Sequence, residues 1–275
     1  MDYLNITDEL LIDGISRTSK RFLRHQMDWL ETRWNADGGF QNRAGGSDLY
    51  YTDFGARCLA LLGAEKRSYK RVADYLATLT AAPVTVVEWF NLLNIRRILT
   101  RYGDVPVTFK TPHGISTNKN PYELFLNALC LGMTGENPQT LCGLIFEIKD
   151  IPQTSLLAAW AGYLLIVEPD KRDTIKTCLD AIAAFRHTDG GYLAHQGAPQ
   201  SDLLSTYSAF LTFGITNRIR MQELSETARF VKSCASPTGG FSSNPCDPET
   251  DVEYTYYGMG LIGLIHSISD SIANG

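Results

Sequence analysis

Apolar positions recur along this chain in two contrasting ways. Over 219–231, Ile219, Leu224, Ala228 and Val231 return at helical spacing, while Arg220, Glu223, Glu226, Arg229 and Lys232 make a polar face. That pattern predicts a helix with one packed side and one wet side. Over 254–265 the chain is apolar or small almost all round, as a helix buried among other helices should be. The contrast predicts helix pairs, one outer and one inner. Pairs read over 66–80 with 84–101, split by Ala81-Ala82-Pro83, over 137–148 with 152–167, over 170–186 with 202–214, and over 218–235 with 251–268. A further helix over 121–134 opens at Asn120-Pro121, after a long loop around Pro112-His113-Gly114.

The pairs are joined by a repeated turn. A helix tail ends in Asn35-Ala36-Asp37-Gly38-Gly39-Phe40, in His187-Thr188-Asp189-Gly190-Gly191-Tyr192, and in Ser236-Pro237-Thr238-Gly239-Gly240-Phe241. A polar loop and an Asp follow each time: Asp48, Asp202 and Asp251. Glycines stop the first helix and permit positive φ. Each Asp is placed to cap the next helix, accepting from a free N–H at its positive end. Gly190 to Gly239 spans 49 positions and Gly38 to Gly190 spans 152, close to three such periods. Two degenerate units therefore fit between, giving about six outer and six inner helices. Six pairs can close a ring, which buries faces that no single pair could bury. The expectation is one all-α domain over 1–275, an α6/α6 toroid.

Composition narrows the function classes. The 275 residues are 44 % hydrophobic and 20 % charged, with a net charge of -5. No basic run is present, which argues against nucleic-acid binding. The six cysteines form no C-x-x-C pair and mostly sit in apolar helical stretches, as reduced, buried thiols do. Met1 to Asp13 has neither the basic nor the apolar part of a signal peptide, and no apolar run approaches the ~20 residues of a membrane span. A cytoplasmic protein is expected.

The aromatic-Leu and Gly-Gly-aromatic repeat resembles that of protein prenyltransferase β-subunits and of squalene and terpene cyclases. The turns Gly38-Gly39-Phe40-Gln41-Asn42-Arg43 and Asp189-Gly190-Gly191-Tyr192-Leu193-Ala194-His195 are most similar to the prenyltransferase branch. The resemblance implies a barrel with an aromatic-lined funnel for an isoprenoid chain. A diphosphate would sit at the mouth, where helix N-termini favour anions and where it could bring magnesium. The family holds a catalytic zinc with an Asp-x-Cys segment and a His from the next repeat. Here the matching segments are Asp48-Leu49-Tyr50, Asp202-Leu203-Leu204 and Asp251-Val252-Glu253, and Tyr254 stands at the His position. The family-type zinc is therefore not expected. The cyclase acid string Asp-x-Asp-Asp does not occur.

Within that frame, the resemblance places Arg43 and His195 at the diphosphate subsite. Lys119, in a loop that also holds Lys110 and His113, could close over a head group; the loop could equally be a solvated connection. Tyr51, Trp89, Tyr207 and Tyr254 fall on inner helices as candidate lining residues. Asp53, Asp202 and Asp251 are candidate cavity acids. Against that, Asp202 and Asp251 read as caps, and Asp53 stands four residues before Arg57, the spacing of a helical ion pair. Glu88, Glu123 and Glu253 are early-turn acids that either face the cavity or favour the helix dipole. The expected partner is an isoprenoid-type small molecule, with room for a partner subunit or a homodimer. A non-catalytic scaffold and a sugar-acting toroid with paired carboxylates are the alternatives.

Overall fold

The computed structural model describes residues 3–105, 120–136, 151–216 and 218–274. Eleven α-helices lie among them: α1 Tyr3–Ile15, α2 Lys20–Glu31, α3 Leu49–Leu62, α4 Lys66–Thr78, α5 Val86–Ile98, α6 Pro121–Thr134, α7 Thr154–Val167, α8 Arg172–Ala183, α9 Leu203–Ile215, α10 Met221–Ser233 and α11 Val252–Asn274. A π-turn, Leu99–Gly103, prolongs α5. The only strands among the described residues are the two-residue β1 Tyr192–Leu193 and β2 Ser201–Asp202, paired antiparallel.

Six helices form a closed inner ring. Packing runs α3 to α5, α5 to α6, α6 to α7, α7 to α9, α9 to α11, and α11 back to α3. Behind it α2 and α4 pack on α3, α8 on α7, and α10 on α11. The all-α toroid is thus the observed architecture, with four outer helices among the described residues. The helix expected over 137–148 lies outside them, as does the loop around His113.

The repeated turn explains how one unit meets the next. Gly190 has φ 96° and Gly239 φ 99°, a region L side chains rarely adopt. A Cβ on Gly190 would sit 2.4 Å from the Glu226 carbonyl oxygen of α10, and one on Gly239 would sit 2.5 Å from Trp29 Cβ of α2. Each turn therefore lies flat on the following outer helix, and the last turn lies on the first. The aromatic that follows goes inward: Phe40 and Phe241 are fully buried and press on Gly55 of α3 and Gly258 of α11. Its amide is caught by the inner helix. Phe40, Tyr192 and Phe241 N–H donate to Thr52, Thr206 and Thr255 Oγ1 at 3.1, 2.9 and 3.0 Å.

Helix α1 belongs to neither layer. It packs on α11, α3, α6 and α7, all of the inner ring. Its buried residues Leu4, Thr7, Asp8, Leu11, Gly14 and Ile15 follow a three-four spacing, the stripe of a packed helix. It crosses α11 at glycines: a Cβ on Gly14 would meet the Gly263 carbonyl oxygen at 2.0 Å. The sequence reading assigned this segment no role in the fold. No described helix is long and apolar enough to cross a membrane.

Candidate functional site

The starts of α3, α9 and α11 gather at one end of the ring: Tyr50 of α3 donates to Glu253 of α11, and the Leu203 N–H that opens α9 donates to the Ser243 carbonyl in the turn before α11. Between the inner helices lies a cavity of about 220 Å³. Its wall comes from the N-terminal halves of the ring helices, through Tyr50, Phe54, Phe90, Phe125, Tyr207 and Tyr256 among others. Tyr3, Leu4, Thr7 and Asp8 of α1 also line it, and because α1 sits at the C-terminal end of the helices, they form its floor. The rim at the other end includes Tyr122, which is 41 % exposed. The result is an aromatic cup, closed below and open above.

The rings are mutually packed. Phe54 lies 5.8 Å from Tyr256 and 5.4 Å from Tyr257, and Tyr207 lies 5.1 Å from Tyr257. Tyr207 and Tyr256 share a hydroxyl hydrogen bond of 3.1 Å. Burial, and for Tyr207 the neighbouring Tyr256, push these phenols well up from their ordinary value. They are neutral hydrogen-bonding groups at any physiological pH.

One wall carries charge. Asp53 is fully buried; it accepts from Arg57 Nη2 at 2.5 Å and from Asn94 Nδ2 at 2.6 Å. Asn94 in turn accepts from Arg97 Nε at 2.9 Å, and Arg97 reaches Asp8 of α1 at 2.7 Å and Asn5 at 2.8 Å. Burial pushes the Asp53 carboxyl up, against the pull of Arg57 and Asn94. Arg57 projects into the cavity, its carbon centre 4.9 Å from the Phe54 ring and 5.4 Å from those of Phe90 and Tyr256. The stacked rings favour the cation on their faces, and with Asp53 they keep it charged although burial alone opposes that.

A carboxyl stands above the cavity. Tyr50, in the lining, donates to Glu253 Oε1 at 2.8 Å. Burial raises the Glu253 pKa to about 7, and nearby Asp251 adds to the rise. It therefore holds a proton through much of the neutral range.

The site residues expected from the sequence divide. Tyr207 lines the cavity, and Asp53 sits directly behind Arg57. Trp89, Tyr51 and Tyr254 are half-buried on inner helices and are not among the lining residues. Asp48, Asp202 and Asp251 are caps: each accepts from the backbone N–H three residues on, at Tyr51, Ser205 and Tyr254. The second Asp202 oxygen is buried near the Leu204 amide without a well-formed hydrogen bond, and burial pushes its carboxyl up. Glu88 completes a capping box with Thr85 rather than facing the cavity.

Arg43 is engaged by acids of the last turn. Its Nε donates to Asp251 at 2.7 Å and its Nη2 to Asp247 at 3.1 Å, with Glu249 at 3.7 Å and the Tyr254 ring beneath. It ties the first turn to the last. His195 is exposed on its turn, its Nδ1 3.0 Å from the Gln196 carbonyl, and does not line the cavity. Lys119 lies outside the described residues. Among those, no three His, Cys, Asp or Glu side chains converge as a metal-binding set. The five cysteines among the described residues are free thiols, and Cys58 is buried inside α3 with its thiol donating to the Val252 carbonyl at 3.5 Å.

What the sequence reading missed is the floor and the charged wall beyond Asp53 and Arg57. The three-four stripe of α1 was a usable signal for the first. Asn94 and Arg97 share α5, but their partners Asp53 and Asp8 lie on α3 and α1, about 40 and 90 residues away, beyond any local spacing.

No curated protein matches the chain. Residues 149–274, which carry α7 to α11 and two of the three Gly-Gly-aromatic turns, match the family model for the prenyltransferase alpha-alpha toroid domain. The earlier helices lie outside that match and close the same ring.

Proposed function

We infer that this toroid binds an isoprenoid-type or similar apolar small molecule in its central cavity, entering at the N-terminal end of the ring. The observation that carries the reading is the cup itself: an aromatic wall, a rim of partly exposed residues, and a floor supplied by α1. Mostly apolar concave sites with a few placed polar groups are the usual ligand sites of proteins. At about 220 Å³ the cavity lies below the range of drug-sized sites, so it suits a ligand on the order of ten heavy atoms.

The chemistry at the mouth favours a ligand without a diphosphate. Three inner-helix N-termini already hold their own carboxylates, Asp48, Asp202 and Asp251. Those are the positions an incoming anion would use. Arg43 is neutralised by Asp247 and Asp251. The family zinc does not fit either. The segments after these aspartates supply Tyr50, Leu204 and Glu253 in place of a thiolate, and Tyr254 in place of a His. Glu253 is no substitute for a cyclase acid: a carboxyl with a pKa of about 7 is too weak to protonate an alkene. The sugar-acting alternative needs a carboxylate pair, and among the described residues Asp8 is the one acid lining the cavity, held by Arg97.

Trp160 packs 5.5 Å from the Phe125 ring, so its fluorescence reports on the cavity. Titration with geraniol, farnesol and farnesyl diphosphate should give saturable quenching, tightest for geraniol, with no gain from the diphosphate or from added zinc or magnesium. Absence of binding by all three would leave the scaffold reading in its place.

A further inference from the structure

The geometry points to Arg57 as an internal head-group site, which takes a short apolar carboxylate bound with its charged end inward rather than at the mouth. This rests on the cavity being a ligand site. Its own support is how Arg57 is built.

A guanidinium carries five N–H donors in a rigid plane. Among the described residues, Asp53 is the one acceptor bonded to Arg57, through Nη2. The side chain keeps 14 % of its surface exposed, and it lines the cavity. Donors are therefore left over beside the cavity. The group is also fixed in place. Asp53 holds one edge, Asn94 holds Asp53, and three aromatic rings clamp the faces. Such a donor set loses little freedom when a ligand arrives.

A purely structural pair would not need this position. Buried ion pairs add little stability compared with apolar packing, and this one faces a cavity instead of filling it. Asn91 of α5 and Ser208 of α9 bring further polar side chains to the lining. The formal charges on this wall, Asp8, Asp53, Arg57 and Arg97, cancel, so an incoming carboxylate meets no net repulsion from it. Arg with a carboxylate is among the stronger side-chain recognition pairs. An amine would be rejected by the same guanidinium. An alcohol would bind with a weaker, neutral hydrogen bond.

Calorimetric titration with decanoate, decanol and decylamine separates the outcomes. The wild-type protein should bind decanoate at least about tenfold more tightly than the other two. The double variant Asp53→Asn with Arg57→Gln removes both charges together and leaves no buried ion alone. Its melting temperature shows whether the ring still folds, and it should bind decanoate no better than decanol. If that variant fails to fold, Arg57→Lys, which keeps the charge and loses the fork, should reduce the preference for decanoate. Equal binding of decanoate and decanol by the wild type, or a preference untouched in a folded variant, overturns the assignment and leaves the cavity reading standing. Failure of all three probes to bind defeats the cavity reading, and this one with it.

Discussion

Thr52, Thr206 and Thr255 each stand four residues after a capping Asp and each catch the amide of an inward-pointing aromatic. All three hydroxyls are buried. Replacing Thr206 by the near-isosteric Val leaves the Tyr192 N–H buried without an acceptor, at a cost of about 1–3 kcal/mol. Chemical denaturation should show that loss, whereas Thr216→Val, at a half-buried helix end, should change stability by under about 1 kcal/mol. Glu253 makes a pH prediction. Its carboxyl is raised from 4.5 to about 7 in the folded chain, so the native state binds the proton more tightly than the unfolded chain. The stability this contributes is complete below pH about 4.5 and is lost as pH rises through about 7. Glu253→Gln removes the dependence. Denaturation at pH 4.5 and pH 8 should show the variant gaining on the wild type at the higher pH. An equal difference at both would contradict the burial argument.

At the scale of elements, α1 and the turns do different work. The turns join neighbours, and α1 closes an end. Its crossing of α11 at Gly14 and Gly263 leaves no room for a methyl group. Gly14→Ala should cost about 1–3 kcal/mol through overpacking. It should also weaken binding of a cavity ligand, because Tyr3, Leu4, Thr7 and Asp8 move with the helix. A thermal shift with unaltered ligand binding would mean that α1 braces the ring without shaping the cup.

The inner helices were legible in the sequence because their starts are punctuated. Asp48, Asp202 and Asp251 mark three of them, and Asn120-Pro121 marks α6. The expected 121–134 is the observed span, and 84–101 is found as α5 over 86–98 with its π-turn. The site was less legible. Helices that are apolar all round carry little phase, so Tyr207 in the wall and Trp89 outside it look alike from their neighbours. Arg43 looked like an anion site because its three acid partners lie about 200 residues away.

For the whole molecule, closure is the central physical fact. The seam between first and last repeats is held by Gln26 accepting from the Gly240 amide at 2.9 Å, by Trp29 under the last turn, and by Arg43 on Asp247 and Asp251. Arg43→Ala leaves the 95 % buried Asp251 without its cation and should cost about 1–3 kcal/mol. Because the seam holds α3 and α11 together, that loss should appear in global unfolding. Hydrogen exchange that rises only in residues 40–48 would contradict it.

The proposed function requires an apolar ligand to sit between the inner helices. Ala159 lines the cavity from α7, and a larger side chain there fills space without removing a hydrogen bond. The most direct test is calorimetric titration of geraniol into the wild-type protein and into Ala159→Phe, with melting curves for both. The account predicts saturable, roughly micromolar binding that falls by at least about tenfold in a variant that still melts cooperatively. Binding of equal strength in both proteins would place the ligand elsewhere and contradict the central cavity as the functional site.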